Sequence, residues 1–587
     1  MPLRQRAALS VAVSLLTVYG PIVAWLHLGT NAAFLYFAPD AFYYLQIADR
    51  AAHTGLHAFD GVRTTTGFHP LWGFLLGAAF GHLPSLQTKE AQMLFTFGLS
   101  AVLTATGLGL VAYAFSRFIG SATLLFLALV PGLYYLVCGW AFPPAGNNWS
   151  FVNGLETPAS ILAFGVFACL LPSDDTTPIT WRRLVAWSLV LAAIVLARLD
   201  DVFLVAAVMF AVARRGSHWK ERALKAFSCG AAAAVAIVLY MAYNVSVSGH
   251  AFPSSAQVKE GASLAENLHL MALPFAPFGL MLIGPDGWPL VASKALHLLV
   301  PLGVAVVYLM RGRRLSLELL ALYVVIKNVY NLAFVWIWHQ GFWYFPLTLL
   351  IAGMLVATRL EAHLRPSLHP ASNDGRSVRS FTLALSLVVL AVVAIAVIFH
   401  GGRTGWAVLI AVAAFGATIA LWGPRRWWVI AALTAWGLFM ATADIVNRVS
   451  WKYGDQYTRF WNERETLRHA FEASPLASPI VEFDDGVITY GLSVQGMSGF
   501  GLAADSEAVA AKREGRLLDL AYERGFRNIA SLYYVPMLPS DARAGTRIDA
   551  AIAQIPTMAT EALDRWKFSI VLHDERTGFL VARFDPR

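Results

Sequence analysis

An acid at position 40 opens the stretch in which the residue types best suit chemistry. From Pro39 to Trp72 the chain reads PDAFYYLQIADRAAHTGLHAFDGVRTTTGFHPLW, setting Asp40, the pair Tyr43 and Tyr44, Asp60, Gly61, Arg63, three threonines, His69 and Pro70 close together. A plain tether between helices would not need this mixture. The competing reading is a surface loop with an amphipathic helix, since loops collect both solvent-facing filler and function. Further polar groups interrupt the apolar runs. In Asn153-Gly154-Leu155-Glu156-Thr157-Pro158, Pro158 reads as a helix start with Thr157 as its cap, and Glu156 either complements that helix dipole or takes part in chemistry. Two short apolar segments meet at Arg198-Leu199-Asp200-Asp201. Charges at such depth cost at least about 2.5 to 3.5 kcal/mol each, so they are paired or line a cavity. An Arg198 pair with one aspartate pins two helices and leaves the other aspartate over. Lys259 follows GHAFPSSAQV and suits a lipid phosphate or an ordinary interfacial position. Trp338 to Tyr344 is an aromatic belt in which only His339 and Gln340 rise above packing.

The elements that must hold these groups are membrane helices. Of 587 residues, 57% are hydrophobic and 14% charged, against roughly 25% charged in soluble domains. The chain reads as a polytopic α-helical membrane protein. Its formal charge of +8 would suit nucleic acid, but the arginines sit in short clusters between apolar runs, as membrane orientation produces, and no nucleic-acid motif is present. Cys138, Cys169 and Cys229 lie in or beside apolar spans without metal-ligand spacing. The first apolar run reaches Leu28 without a persuasive cleavage site and reads as a retained helix with a cytoplasmic N-terminus.

The apolar segment Pro70 to Leu83 has about fourteen residues where a span needs about twenty, so it reads as a helix at the membrane surface. Spans then fall at roughly 8–28, 91–115, 119–137, 157–171, 184–197, 202–213, 224–247, 296–310, 316–336, 342–358, 379–399, 404–422 and 427–446, about thirteen in all. This arrangement gathers Arg117, Arg182, Arg183, Arg214, Arg215, Arg311, Arg359 and Arg425 on the cytoplasmic side. A crossing by the short segment would turn them outward, against the positive-inside tendency. The chain divides into a membrane module at 1–250 with a first outer loop at 29–90, a second membrane module at 251–446 with an outer loop at 248–295, and a C-terminal domain at 447–587 outside the cytoplasm. That last domain is expected to be a small α/β unit of roughly 140 residues. PIVEFDDGVITYGL and NIASLYYV supply β-type runs, and FSIVLHDERTGFLVARF reads as a hairpin through Asp574 to Gly578. The glycine-rich stretch from Gly491 to Asp505 lacks the Gly-Lys-Ser/Thr ending of a phosphate loop and is expected to lie over the membrane domain.

These outward-facing elements form a recognisable set. Asp40-Ala41-Phe42-Tyr43-Tyr44, Phe59-Asp60-Gly61, Thr66-Gly67-Phe68-His69-Pro70-Leu71-Trp72, Gly154-Leu155-Glu156-Thr157, Arg198-Leu199-Asp200 and Pro253-Ser254-Ser255 through Lys259 resemble the bacterial membrane glycosyltransferases of the GT-C class. That group includes protein O-mannosyltransferases, aminoarabinose transferases and arabinofuranosyltransferases. The resemblance runs in order from Asp40 to about Tyr344. It implies a GT-C-like catalytic module over 1–250, a variable membrane module over 251–446, residence in the plasma (inner) membrane of a bacterium, and a sugar donor carried on a polyprenyl phosphate. It also implies that the acid of the first outer loop acts on the acceptor, a role that falls on Asp40. Many members carry two adjacent acids there, whereas Pro39 precedes Asp40. A divalent metal therefore depends on Glu156, Asp200 or Asp201 completing the site.

Under that resemblance, the carboxylate of Asp40 would take the acceptor hydroxyl's proton while the lipid phosphate leaves from the opposite face, an inverting displacement. The negative charge that develops on the phosphate needs cations, for which Lys259, Arg198, Arg63 and His69 are the candidates. Glu156 or Asp200 would orient a base or bind sugar hydroxyls, and Tyr44 and His339 complete the donor-binding set. The acceptor is a glycan, a lipid or a protein. A transporter or flippase of a lipid-linked glycan is the main alternative, against which stands the lack of an internal repeat. A non-catalytic glycan-binding relative is the other.

Overall fold

The first apolar run begins with Arg4 and Arg6 and forms helix α1 (Leu3–Leu28) in the computed structural model of the chain. The structure describes residues 3–120, 125, 151–172, 179–215, 218–258, 263–273, 287–311, 314–337, 340–341, 344–364, 456–483, 486–532, 563–574 and 576–587. A 3-10 turn and the short helix α2 (Ala32–Tyr36) continue α1 up to Pro39. Helix α3 (Ala41–Thr54) carries the aromatic pair and stops at Gly55, whose φ of 73° closes the helix in the left-handed conformation that glycine adopts without strain. An isolated bridge from Ala58 to Thr64 then folds Asp60–Arg63 into a turn. Within it the Asp60 carboxylate accepts from the Val62 and Arg63 N–H groups at 2.8 and 2.7 Å.

Pro70 starts helix α4 (Pro70–His82), because its ring pre-sets the helical φ and a first turn has no use for the missing N–H. At 13 residues the helix is about 20 Å long, too short for a hydrocarbon core of about 30 Å. It packs along α3. Helix α5 (Lys89–Phe115) follows, capped by Thr88. It packs on α1 and on α6 (Thr157–Leu170), with Gly107 letting the α6 backbone approach closely. Helices α7 (Trp181–Ala197) and α8 (Val202–Ala213) meet through a 3-10 turn at Leu199–Asp201. The long α9 (Trp219–Ser248) packs against both. Beyond it come α10 (Ser254–Val258), α11 (Leu264–Ala272), α12 (Gly287–Arg311), α13 (Leu315–Phe334) and α14 (Pro346–Leu364).

Four stretches among the described residues are long and apolar enough to cross a membrane: Leu3–Tyr36, Lys89–Phe115, Trp219–Ser248 and Leu315–Phe334. Thr157–Leu170, Lys294–Met310 and Pro346–Arg359 are shorter apolar helices. The expected spans at 379–399, 404–422 and 427–446, and nearly all of 119–137, lie outside the described residues.

The C-terminal domain opens with α15 (Gln456–Glu472) and contains a five-stranded mixed sheet in the order β2-β1-β3-β5-β4. Its strands are β1 (Ile480–Glu482), β2 (Gly496–Ser498), β3 (Asn528–Ser531), β4 (Trp566–Asp574) and β5 (Phe579–Pro586). The last two form the expected hairpin, antiparallel with a bulge between Ile570 and Leu572. One expectation is corrected. PIVEFDDGVITYGL is strand only at β1, and its second half is helix α16 (Val487–Leu492). The Glu482 carboxylate reaches back to accept from the N–H groups of Ile488 and Thr489 at 2.7 and 2.9 Å, holding the first turn of that helix. Helices α17 (Ser506–Arg513) and α18 (Leu517–Glu523) cover the sheet, whose own core is built on Val481, Phe483, Leu518, Phe526, Trp566 and Phe584.

The domain is packed against the membrane module. Tyr490 donates to Gln92 Oε1 at 2.9 Å, and Gln92 in turn donates to Asp49, which also pairs with Lys89 at 2.5 Å. Trp461 and Tyr490 lie against Phe34 and Phe42. Of the glycine-rich stretch, Gly491 and Leu492 end α16 and Gly496–Ser498 is β2, which leaves 493–495 and 499–505 as loop. That loop does lie over the membrane module. Thr65 Oγ1 donates to the Ala504 carbonyl at 3.0 Å, and a Cβ at Gly67 would collide with the Leu502 carbonyl.

Candidate active site

Asp40 stands at the N-cap of α3 with helical torsions, φ −56° and ψ −16°, and its carboxylate makes no capping bond to the helix. Tyr44 follows one turn later on the same side. The Tyr44 hydroxyl donates to Glu156 Oε2 at 3.0 Å and accepts from the His69 N–H at 3.0 Å. Burial, and then the neighbouring Glu156 charge, push this phenol well above its ordinary range, so it stays a proton donor.

The turn before α6 brings Glu156 to it. Gly154 has φ 73°, and a Cβ there would press on Ala41 and Phe37 at 2.8 and 2.9 Å. The Ala38 N–H donates to the Asn153 carbonyl at 3.0 Å, and Trp72 Nε1 donates to the Gly154 carbonyl at 2.9 Å. The first loop and the surface helix therefore both grip this turn. Glu156, not Thr157, occupies the N-cap of α6, and its carboxylate makes no cap bond. Its carboxylate instead accepts from Tyr44 and from Arg198 Nη1, the latter at 2.9 Å.

Arg198, buried at 4% exposure, also sets Nε 2.8 Å from Asp200 Oδ1 and lies over the Tyr344 ring at 4.7 Å. His69 Nδ1 accepts from the Leu199 N–H at 3.2 Å. A ring nitrogen that accepts carries no proton, so in the neutral ring the hydrogen is on Nε2. That nitrogen faces Glu156 Oε1 at 3.6 Å.

The aspartate left over by the sequence reading has a partner after all. Lys327 on α13, 1% exposed, contacts both Asp200, at 3.3 Å, and Asp201. Tyr323 donates to Asp201 at 2.6 Å and Ser160 does so at 2.8 Å. Sequence reasoning missed Lys327 and Tyr323, although a lysine inside the apolar run 316–336 was the signal that could have found them.

Tyr44, His69, Glu156, Arg198 and Asp200 are thus brought into one connected cluster, with Asp40 one turn from Tyr44. Arg63 is not part of it. It pairs with Asp60 at 3.3 Å in a separate cleft against the C-terminal domain. Lys259 and His339 lie outside the described residues. Gln340 donates to the Asn331 and Val335 carbonyls at 3.1 and 2.7 Å, closing the end of α13. Among the described residues no three His, Cys, Asp or Glu side chains gather to hold a metal ion. Glu156, Asp200 and Asp201 are instead matched by hydrogen-bond donors and cations.

The fold that positions this cluster is shared with solved proteins. The chain has the fold of the GT-C class of membrane glycosyltransferases. The similar structures include ArnT from Cupriavidus metallidurans bound to undecaprenyl phosphate, with a TM-score of 0.52 and 14% identity over 97% of each chain. The apo state of that protein overlays with a TM-score of 0.53 and 14% identity, again over 97% of each chain. An oligosaccharyltransferase from Archaeoglobus fulgidus in its apo form gives 0.46 at 11% identity, over 93% of this chain and 71% of that one. No protein-family model matches the sequence, and no curated protein does.

Proposed function

We propose that this chain is an inverting glycosyltransferase that moves a sugar from a polyprenyl-phosphate donor to an acceptor hydroxyl on the extracytoplasmic side of the membrane, with Asp40 as general base. The observation that carries the reading is the convergence of Tyr44 and His69 from the first loop with Glu156 and Arg198, in a fold shared with a protein solved with undecaprenyl phosphate. Buried charge inside a membrane protein is costly, and a cluster of this size beside a surface helix serves substrate better than it serves packing.

In the reaction, Asp40 accepts the proton of the acceptor hydroxyl as that oxygen attacks the anomeric carbon. The bond to the lipid phosphate breaks on the opposite face and the phosphate leaves with the electron pair. Arg198 and His69 meet the growing charge. Glu156 holds both of them, directly and through Tyr44. Among the described residues the cluster has no surplus of positive charge, since Glu156, Asp200 and Asp201 stand there against two permanent cations, Arg198 and Lys327. A phosphate therefore needs another cation, and Lys259 fits that need. The residues just before it are tied to the site, because Ser254 donates to Thr66 Oγ1 at 3.0 Å.

The decisive variant is Asp40→Asn in purified, folded protein given its lipid-linked donor. Turnover is expected to fall by about 10² to 10⁴-fold, with the melting temperature unchanged, and wild-type turnover would remove Asp40 as the base. Lys259→Ala is expected to weaken donor binding; unchanged affinity moves the phosphate role wholly to Arg198 and His69. Cells lacking the protein are expected to accumulate one polyprenyl-linked sugar, which names the donor.

A further inference from the structure

The residues just before α4 have no helix or ladder to satisfy their backbone, so each buried N–H and carbonyl there needs a partner of its own. The peptide between Phe68 and His69 has both. Its carbonyl accepts from the Tyr240 hydroxyl at 2.9 Å, and its N–H donates to the Tyr44 hydroxyl at 3.0 Å. The Thr66 carbonyl stands further off, 3.3 Å from the Tyr240 oxygen, so the single phenolic proton serves Phe68 better. Tyr240 comes from α9, 172 positions along the chain from Phe68. It is buried, with its ring stacked beside that of Tyr243 at 6.4 Å.

A trans peptide is planar, with its carbonyl and N–H on opposite edges. Tyrosines from α9 and α3 therefore grip one plane from both sides, and turning that plane would break both bonds. The imidazole of His69 hangs from it, with Nδ1 accepting from the Leu199 N–H and Nε2 facing Glu156. The bonds also run in one direction, from Tyr240 to the Phe68 carbonyl, from the His69 N–H to Tyr44, and from Tyr44 to Glu156 Oε2. A carbonyl that accepts a hydrogen bond polarises the N–H of its own peptide, so each bond strengthens the next. For packing alone a phenylalanine would fill the same place on α9. What the hydroxyl adds is a hold on the peptide that carries His69.

We propose that Tyr240 is a positioning residue for the transfer reaction, acting through the Phe68–His69 peptide to hold the His69 imidazole and the Tyr44 hydroxyl where Glu156 meets them. The inference rests on the transferase reading for the reaction, and on the hydrogen-bond chain alone for the positioning. The effect of Tyr240 falls on kcat, because His69 answers a charge that appears only as the phosphate leaves.

The test uses the full-length protein in lipid nanodiscs, with isotope-labelled histidine so that NMR reads the ring nitrogens. The His69 signals are assigned by their loss in His69→Gln. Wild type is expected to show His69 as the Nε2–H tautomer with an accepting Nδ1. Tyr240→Phe is expected to move those signals, while His469 and His573 of the C-terminal domain stay in place and report an intact fold. Turnover is measured with the polyprenyl-linked sugar fraction extracted from cells lacking the protein. Tyr240→Phe is expected to lower kcat by about tenfold, the worth of one hydrogen bond, with KM for the donor unchanged. Tyr243→Phe, which keeps the neighbouring ring, is expected to match wild type. In a His69→Gln background, Tyr240→Phe is expected to cost nothing further, since residues that act as a unit are not additive. The proposal is overturned if Tyr240→Phe leaves the His69 signals in place, if it turns over as fast as wild type, or if its loss multiplies with that of His69→Gln. Movement of the His69 signals in a protein without transfer activity would remove the transferase reading and leave the positioning standing. Transfer by wild type with Tyr240→Phe indistinguishable from it would do the reverse.

Discussion

Glu156 does more to shape the cluster than the acid proposed to act in it. One carboxylate meets a phenol from the first loop, a guanidinium from the corner between α7 and α8, and the imidazole that precedes the surface helix. Removing one of these donors leaves the carboxylate buried with a bond unmade. Tyr44→Phe is therefore expected to cost about 1 to 3 kcal/mol of stability, read as a lowered melting temperature in purified protein. The pH dependence follows from the raised phenol. A group whose folded-state value lies above its ordinary value of 10.0 favours the folded state fully below that value and loses the contribution only as pH rises through the higher one. Melting curves of wild type minus Tyr44→Phe are expected to show a constant difference from pH 6 to 9. A difference that shrinks across that range would mean the phenol ionises there and is not the donor to Glu156.

At the scale of elements, the corner Arg198–Asp201 is held from two directions, by α6 through Glu156 and Ser160 and by α13 through Lys327 and Tyr323. A helix from the second membrane module expected from the sequence thus steadies a corner in the first. Breaking a buried pair from one side leaves an uncompensated charge, so Lys327→Met is expected to destabilise by about 3 to 5 kcal/mol. Lys327→Met with Asp201→Asn is expected to recover much of that loss. If the double variant were no more stable than Lys327→Met, the pair would not be what holds the corner. Such long-range partners explain where the sequence was opaque. Asp40, Glu156, His69 and the Arg198 corner were legible because polar residues stand out in apolar runs. Lys327 stood out equally, yet nothing local says which aspartate it meets across α8 and α13. Arg63 was misgrouped because proximity in sequence to His69 hides the turn at Asp60–Arg63 that sends it to another cleft. The helical state of Val487–Leu492 was hidden as well, since a β-rich composition yields there to Gly486 at φ 93° and to capping by Glu482.

For the whole molecule, hydrophobic runs and basic clusters fix a direction through the membrane, and the docked C-terminal domain must share the side of the first loop that it touches. With Glu472→Cys in that domain and Arg214→Cys between α8 and α9, both at exposed positions, a membrane-impermeant maleimide applied to spheroplasts is expected to label only the first. Labelling of only the second would invert the orientation. The contact between Thr65 and Ala504 joins residues 439 positions apart. At about 5 to 20 residues per second the ribosome needs roughly 20 to 90 s to deliver the second partner after the first. Throughout that interval the first loop is already made, and one wall of its cleft is not. The order of synthesis thus makes the later-born sheet domain the step that closes the cleft, and a chain cut short before it would carry the charge cluster without the cleft.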